Sequence, residues 1–227
     1  FNSTPNMPVV VNSEIIFLAL PTPMQKDTGA CDTSVVENVC KEINKVTKKH
    51  RTIVIKSSVI PGTTQKLQEK YRNHTFVFNP EFLREKTFIQ DFMSQDRIIL
   101  GATEATSTYS GQKALNISAN LVSFYEKFVS TQKNPAKIIH VDSKIAEMTK
   151  YVANCFLMSK VLFFNEMYEI CKAANINYNQ ARDLVCLDDR IGSSHTDVPG
   201  HDGQFGAGGS CFSKDINALI YYAKELG

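Results

Sequence analysis

The 227 residues carry no excess of either charge: 25 Lys and Arg stand against 23 Asp and Glu, a formal net charge of +2. That balance gives no basis for binding nucleic acid or an acidic membrane surface. No apolar run approaches the roughly 20 residues that span a bilayer. The first residues lack the pattern of a secretion signal. A cytoplasmic protein is expected, in which the Asn-x-Ser/Thr matches at Asn2, Asn73 and Asn116 are chance. Six cysteines are an even number, but the chain is too long and too helical in pattern for a disulfide scaffold. Cys40, Cys155 and Cys171 fall within amphipathic helical patterns and are expected to be reduced core or near-core thiols. No internal repeat, low-complexity segment or metal-ligand set is evident. Residues 1–60 also lack Gly-x-Gly-x-x-Gly, the turn that follows the first strand of a nicotinamide dinucleotide fold. Either the fold does not bind a dinucleotide or that half lies outside these residues.

What is present reads as two regions. Glu14–Leu20, Thr52–Ile55, Phe76–Phe78, Arg97–Leu100 and Lys137–Val141 are short apolar runs of strand length. Helical spacing separates several of them, over Val35–Val46 with Asp32 as the expected N-cap, over Thr63–Tyr71, and over roughly Thr108–Phe128. This alternation predicts βαβ units on a parallel sheet, with ligands beyond the carboxyl ends of the strands. Pro21-Thr22-Pro23, Lys56-Ser57-Ser58 and Asn79-Pro80-Glu81 all follow strands at that edge.

From Asp142 the alternation stops. A helical pattern from Ile145 through Ile170 to about Asn175 would be on the order of 45–50 Å long, with apolar residues on more than one face. Such a helix suggests a partner or a neighbouring domain. Lys150 and Asn154 interrupt it four residues apart and share a face, either as a solvated stripe or as site residues. A second helix is expected from about Tyr178 to Leu187.

The chain ends in Gly203-Gln204-Phe205-Gly206-Ala207-Gly208-Gly209-Ser210-Cys211-Phe212-Ser213-Lys214-Asp215 and a final helical pattern. Its glycines permit positive φ and close approach to a ligand. Cys211 is expected just before the helix, where the dipole and Lys214 favour a thiolate. The alternative is an ordinary helix entry, with Ser213 as cap and Cys211 merely buried. A cysteine hydrolase pairing Cys211 with His195 or His201 is disfavoured, because both histidines lie in a polar loop.

Together these motifs resemble the UDP-glucose/GDP-mannose dehydrogenase family, its UDP-glucose branch above all. Leu20-Pro21-Thr22-Pro23 resembles V-P-T-P, and Lys56-Ser57-Ser58-Val59-Ile60-Pro61-Gly62 resembles K-S-T-V-x-P-G. Asn79 to Glu85 matches N-P-E-F-L-R-E, and Glu147 to Asn154 resembles E-x-x-K-x-x-x-N. Gly206 to Asp215 resembles G-F-G-G-x-C-F-P-K-D, with Ala207 and Ser213 in place of the phenylalanine and proline.

The resemblance implies NAD-dependent oxidation of UDP-glucose to UDP-glucuronate in two steps. Cys211 would form a thiohemiacetal and then a thioester. Lys150 and Asn154 would hold the developing oxyanion, and Asp215, Glu85 and Ser58 would handle water and its proton. Glu81, Phe82, Leu83, Arg84, Glu85, Lys150, Asn154, Gly200, Gln204 and Gly208 would contact substrate. Thr22, Ser58, Glu85 and Lys214 would lie toward the nicotinamide.

The implied fold is α/β. Residues 1–141 would form a partial Rossmann-like parallel sheet, the later strands of the NAD-binding domain. Residues 142–227 would form an all-α central domain that makes a homodimer through its long helix. GDP-mannose 6-dehydrogenase is the alternative activity, and a non-catalytic, dimerising remnant of the family is the alternative without chemistry.

Overall fold

A computed structural model describes residues 12–103 and 117–227. They divide into two compact units, one ending at Lys150 and the other spanning Tyr151–Gly227.

The first unit is built on five strands: β1 (Ile15–Leu18), β2 (Thr52–Ile55), β3 (Thr75–Phe78), β4 (Arg97–Ala102) and β5 (Lys137–Asp142), adjacent in sequence order. β1, β2 and β3 pair in parallel, as do β4 and β5. β3 and β4 are antiparallel, with Phe78 opposite Gly101. The parallel expectation therefore holds for three of the four pairings. The reversal follows from the 79–96 connection, whose helix α3 (Phe88–Met93) has only six residues and makes no crossover. Neither α3 nor the 3-10 turn Glu85–Thr87 before it is evident in the sequence pattern.

Strand alternation sends side chains to two cores. Ile53, Ile55, Phe76 and Phe78 meet Val36, Cys40 and Ile43 of α1 (Ser34–Val46) and Leu67 of α2 (Thr63–Lys70). Val54, Val77, Ile98 and Leu100 meet Leu121 and Tyr125 of α4 (Ala119–Val129). Every residue of β2 and β3 is buried, which explains their unbroken apolar character.

Two helix boundaries in the first unit differ from expectation. Thr33, not Asp32, holds the N-cap position of α1; Asp32 Oδ1 accepts the Ser34 N–H at 2.9 Å in a turn one residue earlier. α4 begins only at Ala119, behind an extended Ser118, and the expectation over 108–116 lies outside the described residues.

α5 (Ser143–Ala173) is a continuous helix of 31 residues and crosses the boundary between the units. It opens with Asp142 Oδ1 accepting the Lys144 N–H at 2.8 Å. Its first turn lies directly against β4: a Cβ added to Gly101 would stand 2.4 Å from Ala146 Cβ and 3.2 Å from Ser143 Cα.

In the second unit α6 (Tyr178–Val185) packs Tyr178 with Phe164 of α5 and Val198. α7 (Ser210–Leu226) begins earlier than expected. Gly209, at φ +84°, takes the N-cap position, so Ser213 lies inside the helix instead of capping it, and Cys211 stands in the first turn. Among the described residues no helix is long and apolar enough to cross a membrane.

Candidate active site

The carboxyl edge of β1, β2 and β3 carries the three polar turns together, as three parallel strands require. In the first, Thr22 is buried. In the second, Ser57 Oγ accepts the Leu20 N–H at 2.8 Å, tying the β1 and β2 turns to each other. The backbone carbonyl of Ser58 accepts the Cys31 thiol at 3.6 Å.

The third turn is the most organised. Asn79 Oδ1 accepts from Lys56 Nζ at 2.9 Å and from the Tyr125 hydroxyl at 2.6 Å, while its amide donates to the Ile99 carbonyl at 2.8 Å. Burial pushes Lys56 down to about 8; the nearby Glu81 carboxylate opposes the fall, and the Lys150 ammonium adds to it.

Lys150 is only 6% exposed. Its ammonium donates to the Glu81 carbonyl at 2.6 Å and to Glu81 Oε1 at 3.1 Å. Glu81 Oε2 accepts the Leu83 N–H at 2.9 Å, so one carboxylate shapes the turn and holds the lysine. Phe82 lies under two cations, the Arg97 guanidinium at 4.7 Å and Lys150 Nζ at 5.6 Å. Arg84 is exposed and forks onto Asp91, holding that carboxyl far below its usual range. Glu85 opens the 3-10 turn.

One turn of α5 before Lys150, Glu147 is fully buried. Its carboxylate accepts the Gly62 N–H at 2.6 Å, the Thr64 N–H at 2.8 Å and the Thr64 hydroxyl at 2.6 Å. Burial pushes it up to about 7 against those three donors. Glu147 stands in the quoted E-x-x-K pattern, but sequence spacing alone gave it no role. The same holds for Lys56 and Asn79, whose partners lie 23 to 46 residues away.

The second unit holds its own cluster. Asp215 is 1% exposed, and its Oδ2 accepts from Asn154 Nδ2 at 2.6 Å while Oδ1 accepts from Lys214 Nζ at 2.5 Å. Asn154 is itself buried. Lys150 and Asn154 are therefore not a solvated stripe. Cys155 is half-buried, and burial and the Asp215 charge push its thiol up. Cys171 is likewise half-buried and packs at the margin of the Phe164–Tyr178–Val198 core, whereas Cys40 is fully buried and its thiol is pushed up to about 12.

The glycine-rich segment closes on itself. Gly200 donates to the Gln204 carbonyl at 2.8 Å, and Asp202 Oδ1 accepts the Gln204 N–H at 3.0 Å. A Cβ at Gly208 would come within 2.9 Å of Asp202 Oδ2, and one at Gly200 within 3.0 Å of Oδ1. The Gly206 N–H is held by Asn165 Oδ1 at 2.7 Å.

The chain is similar to known proteins over nearly all of its length. Residues 2–129 match the NAD binding domain of the UDP-glucose/GDP-mannose dehydrogenase family, and residues 144–227 match its central domain. The chain belongs to that family. UDP-glucose 6-dehydrogenase TuaD of Bacillus subtilis is 35% identical over 222 residues, covering 95% of this chain and 43% of that protein. UDP-glucose 6-dehydrogenase of Pseudomonas aeruginosa is 32% identical, covering 96% of this chain and 46% of its own length. The solved UDP-glucose dehydrogenase of Pyrobaculum islandicum superposes with a TM-score of 0.77 at 28% identity, over 97% of this chain and 48% of that one. GDP-mannose dehydrogenase of P. aeruginosa gives 0.67 at 28% identity, over 98% and 50%. The chain spans about half the length of the relatives it matches.

NAD is the family's cofactor. The chemistry of the residues present fits part of such a group: the turns after β1 and β2, side by side at one sheet edge, carry the hydroxyls of Thr22, Ser57 and Ser58. They offer no Gly-x-Gly-x-x-Gly turn for the pyrophosphate.

Proposed function

We propose that this chain is the core of an enzyme oxidising the C6 hydroxyl of UDP-glucose to a carboxylate, yielding UDP-glucuronate. The observation that carries the reading is Lys150, a buried ammonium held by Glu81 in a motif 69 residues away. A charge kept at such cost is suited to an oxygen that becomes negative during reaction. Residues 1–141 form the later part of the NAD-binding domain and residues 142–227 the central domain.

When bound, NAD⁺ supplies the hydride acceptor for each oxidation. Thr22, Ser58, Glu85 and Lys214 would hold its nicotinamide end. The Cys211 thiolate, favoured by the first turn of α7, adds to the aldehyde carbon and later leaves as water replaces it. Lys150 and Asn154 hold the sugar oxygen, and Asp215, with Glu85 and the Ser58 hydroxyl, takes the proton from water. Glu81 to Glu85, Gly200, Gln204 and Gly208 seat the nucleotide sugar. A cytoplasmic location is part of the same reading.

Ile145, Val152, Phe156, Phe163 and Ile170 are exposed along one side of α5, at spacings of seven, four, seven and seven. A stripe of that period fits a second copy of the chain, giving a homodimer.

The test is NADH absorbance from the full-length protein given UDP-glucose and NAD⁺, with two NADH expected per sugar. GDP-mannose preferred in the same assay would change the substrate. No NADH from either sugar would leave a dimerising remnant.

A further inference from the structure

Glu147 is a fully buried carboxyl in the first unit to which the proposed chemistry gives no task. It lies 85 residues from Gly62 and 83 from Thr64, so its three hydrogen bonds are tertiary. What it satisfies is specific. α2 has no side-chain cap of its own, and Gly62, at its N-cap position, takes φ +98°. The Gly62 and Thr64 N–H groups are orphan donors of that helix start, and Glu147 caps them from another element.

The turn ending at Gly62 carries Lys56, Ser57 and Ser58. Three residues after Glu147, Lys150 lies on the same side of α5 and reaches Glu81. α5 is thus clasped to the β2 turn through Glu147 and to the β3 turn through Lys150. We propose that Glu147 is a positioning residue: by capping α2 it fixes the height and rotation of α5 that place the Lys150 ammonium beside Glu81. The effect on turnover rests on the function proposed above, in which Lys150 acts on the substrate oxygen; the placement itself does not.

The test uses Glu147→Gln in the full-length protein. The amide keeps one acceptor oxygen but sets its NH2 against an N–H that needs an acceptor, so the clasp is weakened with little change in volume. Brief acetic anhydride labelling with peptide mapping reads Lys150 directly, without turnover. Lys150 is expected to label faster in the variant, while surface lysines such as Lys45 stay unchanged. In steady state kcat should fall roughly 10- to 100-fold, more than KM changes, as expected for a misplaced group. On a Lys150→Ala background, Glu147→Gln should cost no further turnover, because both act through one atom. Thr64→Val, which removes only the hydroxyl donor, should label to an intermediate extent and serves if Glu147→Gln does not fold. Unchanged Lys150 labelling in a folded variant, or turnover losses that multiply, would overturn the proposal. If the wild-type protein fails to oxidise UDP-glucose, the functional reading falls, and labelling still decides whether Glu147 places Lys150.

Discussion

Replacing Lys56 with methionine should make the protein more stable near neutral pH. Lys56 is held by Asn79 in a largely desolvated place, and its pKa falls from 10.5 to about 8. That depression corresponds to about 3 kcal/mol by which folding is weakened while the lysine is charged. Methionine has similar length and no charge. It forfeits the charged hydrogen bond to Asn79 Oδ1, about 2 kcal/mol, but that oxygen keeps the Tyr125 hydroxyl. The expected net gain is about 1 kcal/mol.

The pH dependence gives an independent check. Above about pH 8 the folded protein has released the Lys56 proton, while the unfolded chain holds it until 10.5. The unfolded state then binds more protons, so wild-type stability gains from rising pH across that window. Lys56→Met should lose that contribution. Urea denaturation from neutral pH to about pH 9.5 measures both effects. A variant less stable than wild type near neutral pH, or one with an unchanged pH slope, would refute the reasoning.

Lys150→Ala should lower kcat by roughly 10²- to 10³-fold with little rise in KM, and Asn154→Ala should act the same way but less. A raised KM at unchanged kcat would make Lys150 a binding residue only. Cys211 should alkylate fastest of the six thiols and Cys40 slowest, since burial holds the Cys40 thiol up at about 12; peptide mapping after limited labelling gives the order, and a slow Cys211 would remove it as nucleophile. Cys211→Ser should still bind UDP-glucose by calorimetry yet produce no NADH beyond background. Phe156→Glu, at a residue 66% exposed on α5, should convert a dimer to monomer in sedimentation; an already monomeric wild type would refute the interface.

The parts of the fold that announce themselves in sequence are those governed by period. β2 and β3 read as TIVI and TFVF because both faces are covered, and α5 reads within two residues of its bounds because its spacing never breaks. The ends of α1, α4 and α7 were less legible. Each depends on one backbone conformation, such as the positive φ of Gly209, which leaves no mark in hydrophobic spacing. The direction of β4 was invisible for a similar reason: Arg97–Ala102 is equally apolar whichever way it runs.

In the candidate site, the clasp of Lys150 on Glu81 joins two motifs that sequence could name but not place together. Asn79 looked like a turn residue, yet it is the shared acceptor for Lys56 and Tyr125. Pair partners 46 to 85 residues apart carry no short-range signature.

Gly101 shows how far such dependence can reach. In the sequence it is a flaw in the strand Arg97–Ala102, a residue that gives up side-chain packing. In the fold it is an empty seat, and α5 settles there until Ala146 and Ser143 touch bare backbone. A single added methyl would lift the start of a 31-residue helix, and with it the height at which Glu147 and Lys150 meet their partners. The chemistry proposed for Lys150 is thus leveraged on an atom the chain does not have. A substitution there would read as a catalytic lesion although it touched neither substrate nor cofactor.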